Sequence, residues 1–275
     1  MGFVSRPFVL CGLPIKRPPS GTLLHERRNG RFVLQVAGHP SYGLPWGQDR
    51  LVPIFLATLA VRQQSRTITF TNAADMLDTF GMQQGGSQYR RLVGAFQRIF
   101  GATIFFGTDT QSERATVFHR ARFNFMSEAQ MWCSRLPTDE PPLGKVENII
   151  VLSNEFYKEI IDHPIPTDLE AAKALSSAPG ALDLYTWLTY RCFSAKGEER
   201  VPLFSEFGLA NQLGIGAYAR PRKFREQLEQ WLSLVKAMWP ECPARVSSDR
   251  GALIVNRANA IISGRTLGYQ GEALL

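Results

Sequence analysis

Four side chains capable of bidentate hydrogen bonding fall within nine residues of one another: Arg90, Arg91, Gln97 and Arg98. A guanidinium fork matches the O6 and N7 edge of guanine, and a carboxamide matches the N6 and N7 edge of adenine. The surrounding stretch, 87–101 (SQYRRLVGAFQRIFG), contains no carboxylate to neutralise the arginines, and Ser87 and Gln88 add two polar groups at its start. Gly94 lies at the centre of the polar set. A glycine inside a helix costs about 1 kcal/mol relative to alanine, and close approach of a partner surface would offset that cost. This chemistry suits the reading of base edges in duplex DNA. The same pattern also fits a core helix with a solvated basic face.

The element that must position these groups is a helix. Tyr89, Leu92, Val93, Phe96, Ile99 and Phe100 recur at helical spacing and form an apolar stripe opposite the arginines. Upstream, 45–62 reads as a helix, with Leu51, Ile54, Phe55, Thr58, Leu59 and Arg62 in register. Residues 67–71 (TITFT) alternate as a short strand. Residues 73–80 follow as a helix, with Asn72 as N-cap and Gly81 as C-cap. Downstream, 102–108 and 115–125 read as a hairpin with its tip at 109–114. Helix, strand, helix, turn, helix and hairpin is the order of a winged helix. That order aims the 87–101 helix at a DNA major groove and sets Arg120 and Arg122 of the hairpin against phosphates or a minor groove.

The order then returns. Residues 183–193 (DLYTWLTYRCF), 200–204 and 206–213 read as helix, strand and helix, the last capped by Ser205 and closed by Gly214. After a turn at 215–220 comes a long amphipathic helix over 221–239, with Phe224, Leu228, Trp231, Val235 and Met238 inward. A hairpin of 243–247 and 252–256 follows, with Arg250 at its tip. Phe70 and Phe204 lie 134 residues apart, and Phe96 and Trp231 lie 135 apart. A steady interval across several elements points to an internal duplication. Arg220, Arg222, Lys223 and Arg225 crowd the start of the second long helix. Each cation there opposes the helix dipole by roughly 0.3–1 kcal/mol, so stability alone does not favour them. Phosphate binding accounts for them better than a solvated cluster.

The expected fold class is therefore α+β, with two tandem winged-helix domains. Residues 1–44 read as a basic, Pro- and Gly-rich arm that is mostly irregular, apart from a short strand at 32–36. The first domain is expected at 45–130, a Pro-rich acidic linker at 131–147, the second domain at 148–262 and a tail at 263–275. In 149–175, Ser153 or Asn154 caps a helix over 155–162 that ends at His163–Pro164.

Charge and composition agree with a polyanionic partner. The 275 residues carry a net charge of +7, with a sequence pI of about 9.4. Arg6, Lys16, Arg17, Arg27, Arg28 and Arg31 face only Glu26 in the first 31 residues, whereas 135–170 hold an excess of carboxylates. Cys11, Cys133, Cys192 and Cys242 lack metal-knuckle spacing and read as reduced, mostly buried thiols. No phosphate-cradling Gly-x-x-x-x-Gly-Lys run, no nucleophile elbow and no His-x-His pair occurs. The carboxylates Asp139 and Glu140 fall in the linker and read as solvated. No enzymatic site, cofactor or metal is expected. With no signal peptide and no long apolar run, a cytoplasmic protein of a bacterial host is expected, without membrane association.

The chain resembles the plasmid-encoded RepA-type replication initiators. The resemblance rests on Gly43–Leu44–Pro45–Trp46–Gly47, on Ala60–Val61–Arg62 through Ser65–Arg66–Thr67–Ile68, on Phe80–Gly81 and Gly85–Gly86, and above all on LDLYTWLTYR at 182–191. It covers roughly 42–256. It implies tandem winged helices on repeated double-stranded origin sites, and recruitment of the host initiator and replicative helicase. It also implies homodimers that repress their own promoter and monomers that initiate. A winged-helix transcriptional regulator without a role in replication is the alternative, because its DNA-contacting parts are the same.

Overall fold

A computed structural model describes residues 1–70, 74–82, 85–111, 116–131, 148–205, 208–213 and 220–259. The chain opens with β1 (Gly2–Ser5), α1 (Arg6–Leu10), β2 (Leu24–Asn29) and β3 (Phe32–Ala37). A 3-10 turn (Gly47–Arg50) leads into α2 (Leu51–Gln63), β4 (Thr67–Phe70), α3 (Ala74–Thr79) and α4 (Gly86–Gly101). Then come β5 (Thr103–Gln111), β6 (Thr116–Asn124), β7 (Met126–Gln130) and β8 (Asn148–Leu152). The second half holds α5 (Asn154–Asp162), β9 (Pro164–Thr167), α6 (Leu169–Ala174), α7 (Pro179–Ser194), β10 (Glu199–Pro202), α8 (Leu209–Gln212), α9 (Pro221–Met238), β11 (Arg245–Val246) and β12 (Ala252–Val255).

Two helices form the centre. In α2, Leu51, Val52, Ile54, Phe55, Leu56, Ala57 and Ala60 are all buried, so the helix is covered on nearly every side. In α7 the run from Gly180 to Thr189 is buried without a break. A helix that is apolar all round belongs inside a fold, and each large side chain buried there contributes roughly 1.5–3 kcal/mol. Helices α4 and α9 are amphipathic and lie outside this centre. Gly180 lets α7 and α9 cross closely, because a Cβ there would collide with the Trp231 ring. One hydrophobic cluster runs through the molecule from Val4 to Val255.

Two three-stranded antiparallel sheets share one strand order, β4-β8-β7 and β10-β12-β11. In each, the strand that follows a central helix pairs with the last strand of its group, which in turn pairs with the middle one. The two long helices also match in burial at an interval of 136 residues: Leu92 with Leu228, Ala95 with Trp231, Phe96 with Leu232 and Ile99 with Val235. That is one residue more than the Phe96–Trp231 interval read from the sequence. The buried pattern thus aligns Trp231 with Ala95 rather than with Phe96.

Three expectations change. The first 44 residues are not a mostly irregular arm. β1 pairs with β9, from Gly2↔Thr167 to Ser5↔Pro164, and Val4, Val9, Leu10, Cys11, Leu13, Leu34 and Val36 enter the core. The apolar run at 8–15 has little periodicity of its own, and its partners come from distant sequence. Second, the hairpin of β5 and β6 forms, but it pairs with β3 in the four-stranded sheet β2-β3-β5-β6, so the segment read as an arm supplies two of its strands. β4 is taken by β8. Third, the stretch expected to be a linker joins β7 to β8, two paired strands of one sheet, so the expected boundary falls inside that sheet. Residues 132–147 themselves lie outside the described residues, as do Asn72, the hairpin residues 112–115, the turn 214–219 and the tail 263–275.

Smaller departures follow from local geometry. The first helix divides into the 3-10 turn and α2, and α8 spans only Leu209–Gln212. Phe100 and Met238, read as inward, are each 40% exposed at the ends of their helices. The Ser153 cap is present: its Oγ accepts from the Phe156 N–H at 3.1 Å.

Candidate nucleic-acid interface

The polar face of α4 divides into two stripes one turn wide. Ser87, Arg90, Gly94 and Gln97 follow one line, and all but Gly94 are exposed. Gln88, Arg91 and Arg98 follow the next, between the first stripe and the buried Leu92, Phe96 and Ile99. The two stripes are held differently. Arg98 is clamped to the buried Asp49 carboxylate by two bonds, Nε to Oδ2 at 2.6 Å and Nη2 to Oδ1 at 2.9 Å. Its guanidinium also lies over the Trp46 ring, 5.8 Å from the centroid. Asp49 in turn accepts the Trp46 N–H at 2.9 Å. Arg98 thus fastens α4 to the turn before α2, and its charge is paired with a buried carboxylate.

Arg90 and Arg91 meet no carboxylate among the described residues. Arg91 donates to Gln48 Oε1 at 2.7 Å, and Arg90 donates to the Gly86 carbonyl at 3.2 Å. Both acceptors are neutral, and both arginines are exposed. Gly94 has a neighbour of its own: a Cβ there would come 3.1 Å from Arg98 Nη1. Both stripes, through Arg90, Gly94, Arg91 and Arg98, line a cleft of about 660 Å³ together with residues 17–23 and 40–44.

The second cationic group is confined to the start of α9. Arg220, Arg222 and Lys223 are exposed. Arg222 pairs with Glu226 one turn on, at 2.8 Å. Arg225 donates to the Arg250 carbonyl at 2.9 Å and stacks over Phe204, 5.1 Å from the ring centroid. Arg250, at the β11–β12 tip in the left-handed region (φ +53°), reaches back to Glu229 at 2.6 Å. Asp249 beside it accepts from Ser247, from the Gly251 N–H and from Arg200, and these bonds hold its carboxyl down to about 2. Arg225 and Arg250 therefore lock the hairpin tip onto α9. Among the described residues Arg220 and Lys223 carry no ion pair. Past the first turn, Glu226 and Glu229 are exposed on α9, whereas α4 has no carboxylate at all.

On the β5–β6 hairpin, Arg120 makes a two-bond pair with Asp109, at 3.1 and 2.6 Å, and a third bond to Gln35 at 3.2 Å. It ties the hairpin to β3. Arg122 is exposed. The site residues thus fall into groups carried by separate elements: α4 beside the cleft, the start of α9 with its hairpin tip, and the β6 pair. Among the described residues no cluster of potential metal ligands occurs, and no helix is long and apolar enough to cross a membrane.

Sequence reasoning did not identify Trp46, Gln48 and Asp49 as the groups that hold Arg98 and Arg91. They lie more than forty residues upstream, and no local periodicity links them to α4. The absence of any carboxylate on α4 itself was the available hint that a partner for Arg98 had to come from elsewhere.

The sequence model of one protein family, described as plasmid-encoded RepA protein, matches residues 44–206. No curated protein matches the chain. Two solved structures are similar in fold. A selenomethionine derivative of domains 2 and 3 of RctB aligns over 93% of this chain and 100% of its own, at 16% identity and a TM-score of 0.61. A second structure of RctB domains 2–3 aligns over 80% of each chain, at 16% identity and a TM-score of 0.54.

Proposed function

This chain belongs to the plasmid-encoded RepA protein family, and from that premise we propose that it initiates plasmid replication by binding repeated double-stranded sites at an origin. The observation that carries the reading is the polar face of α4: Arg90 and Arg91 exposed, paired only to neutral acceptors, with Gly94 and Gln97 on the same face and no carboxylate on the helix. Such a face suits base edges in a major groove. Ser87 and Gln88 lie at its leading end. Arg98 acts from behind, by fixing the angle of the helix.

The shared strand order of the two three-stranded sheets supports a duplication of the winged-helix plan. In the first unit the wing is β7 and β8, and the β5–β6 hairpin is an insertion that builds a second sheet with β2 and β3. In the second unit β11 and β12 form the wing. There Arg220, Arg222 and Lys223 supply phosphate contacts, while Arg225 and Arg250 shape the tip. Arg122, exposed on β6, is a further phosphate ligand, and Arg120 steadies its strand. The host initiator and replicative helicase are the partners that family membership brings to the proposal.

Selection of duplex DNA from a random pool at fixed, near-physiological salt tests this reading, because such affinities shift steeply with salt. A long site, or direct repeats spaced by whole helical turns, is expected. A short palindrome alone would favour a dimeric transcriptional regulator. No enrichment would return α4 to a solvated basic face.

A further inference from the structure

Residues 15–24 cross in front of α4 as a strap whose two ends are pinned. Leu13 and Pro14 are buried at one end, where the Gly47 N–H donates to the Pro14 carbonyl at 2.9 Å. His25 is buried at the other, and the Gly38 N–H donates to the Leu23 carbonyl at 2.8 Å. Between these anchors 16–24 are exposed except for the half-buried Pro18. Pro18 and Pro19 stiffen the segment. A turn closes it, from the Thr22 N–H to the Pro19 carbonyl at 3.1 Å, with Gly21 in the left-handed region that its φ of +82° requires. The strap is therefore a shaped wall, anchored on both sides.

That wall and α4 enclose the cleft of about 660 Å³, with Arg17 on the strap side and Arg90 and Arg91 on the helix side. The carboxylate that lines it, Asp49, is already taken by Arg98. Among the described residues Arg17, Arg90 and Arg91 make no ion pair, and residues 1–25 contain no acidic side chain. Two cationic walls repel each other, and an anion between them turns that repulsion into attraction. A strap built to cover α4 would instead carry acids complementary to its arginines.

We infer that the strap is the outer jaw of a clasp for a DNA backbone: Arg17 holds a phosphate of the same strand whose base edges Arg90 and Arg91 reach, with that strand running through the cleft. The inference rests on the proposed reading of duplex DNA by α4. It adds a phosphate contact, and a role, for a segment outside the family match at 44–206.

The test compares the full-length protein with its Arg17→Ala and Arg91→Ala variants. Binding to the selected duplex is measured across a salt series, together with a scan of single methylphosphonate substitutions. Arg17→Ala is expected to lower the slope of log K against log salt by about one and to leave the preference for specific over random duplex unchanged. One neutralised phosphate that weakens the wild type should cost this variant nothing further. Arg17 is exposed, so thermal unfolding should be unaffected. An unchanged slope for Arg17→Ala, with Arg91→Ala still losing preference, overturns the clasp and leaves the α4 reading standing. Tighter binding by Arg17→Ala would mean that the strap covers α4, which also overturns it. If neither variant alters affinity or preference, the DNA reading itself fails and the clasp with it.

Discussion

Arg50 Nε lies 2.9 Å from Asp183 Oδ1, and both side chains are buried. Arg50 closes the turn before α2, and Asp183 stands in α7, so one ion pair joins the two central helices. Arg50 also donates through Nη2 to the Leu13 carbonyl at 2.8 Å and the Pro14 carbonyl at 3.3 Å. The anchor of the strap therefore hangs on the same guanidinium. Burial pushes the Asp183 carboxyl up to about 6, against the opposing pull of Arg50 and Arg27.

Arg50→Met is expected to destabilise the protein by about 3–5 kcal/mol, because it leaves a buried carboxylate without its main partner. Adding Asp183→Leu should recover part of the loss, since the second change removes the orphaned charge. Urea unfolding of the two variants checks this. A double variant less stable than the single one would show that the pair is not coupled.

His25 makes acid stability a separate question. Its ring is buried, with Nε2 3.0 Å from the Gly12 carbonyl, and burial lowers its pKa from 6.5 to about 4. The unfolded chain takes up a proton near 6.5 and the folded chain only near 4. The stabilising contribution is thus complete above 6.5 and is lost as pH falls through that window, by about 3 kcal/mol in all. Asp183 acts in the opposite sense: its raised pKa favours the folded state at low pH, and that contribution fades as pH rises toward 6. His25→Gln retains a donor for the Gly12 carbonyl but does not titrate. Stability measured from pH 7 down to 4 should fall less in this variant than in the wild type, and parallel curves would refute the role.

Gly94→Ala separates helix stability from partner approach. Alanine raises helix propensity by up to about 1 kcal/mol. The crowded neighbour is the far end of the flexible Arg98 side chain, which can shift slightly. Thermal unfolding should move upward while affinity for the selected duplex falls. Unchanged affinity would mean that nothing approaches α4 closely at this position.

Arg91 and Arg98 should respond differently to truncation. Arg91→Ala is expected to reduce the preference for specific duplex by about 1–3 kcal/mol with little change in stability. Arg98→Ala strands the buried Asp49 carboxylate and should lower stability by about 1–3 kcal/mol. Competition binding and denaturant unfolding on both variants would separate reading from positioning. Equal stability losses would put Arg91 in the same structural role as Arg98.

Lys223→Ala should weaken binding to any duplex and reduce the salt slope by about one. A salt titration on specific and random duplexes gives the answer, and a slope equal to that of the wild type would remove α9 from the contact surface.

Periodicity and capping were enough to locate most of the elements. The helical spacing of Leu92, Phe96 and Ile99 places α4, the Ser153 cap starts α5, and the alternation at 67–71 marks β4. These signals are local, carried by residues within one or two turns of each other. The cationic face of α4 and the cluster at the start of α9 were legible for the same reason. Strand partners were not. β5 pairs with β3 and β4 with β8 across 65 to 83 intervening residues, and alternation gives a strand its faces without naming its neighbour. Ion-pair assignments were equally hidden: whether an arginine on α4 is spent on Asp49, as Arg98 is, or left to a neutral glutamine, as Arg91 is, depends on a turn forty residues upstream. The residues at 8–15 are apolar in type, but only their packing against α7, Phe125 and the turn before α2 makes them core. Local elements and the side chains they carry follow from short-range spacing, whereas the charges left to meet a partner follow from contacts between distant segments, such as Asp49 with Arg98.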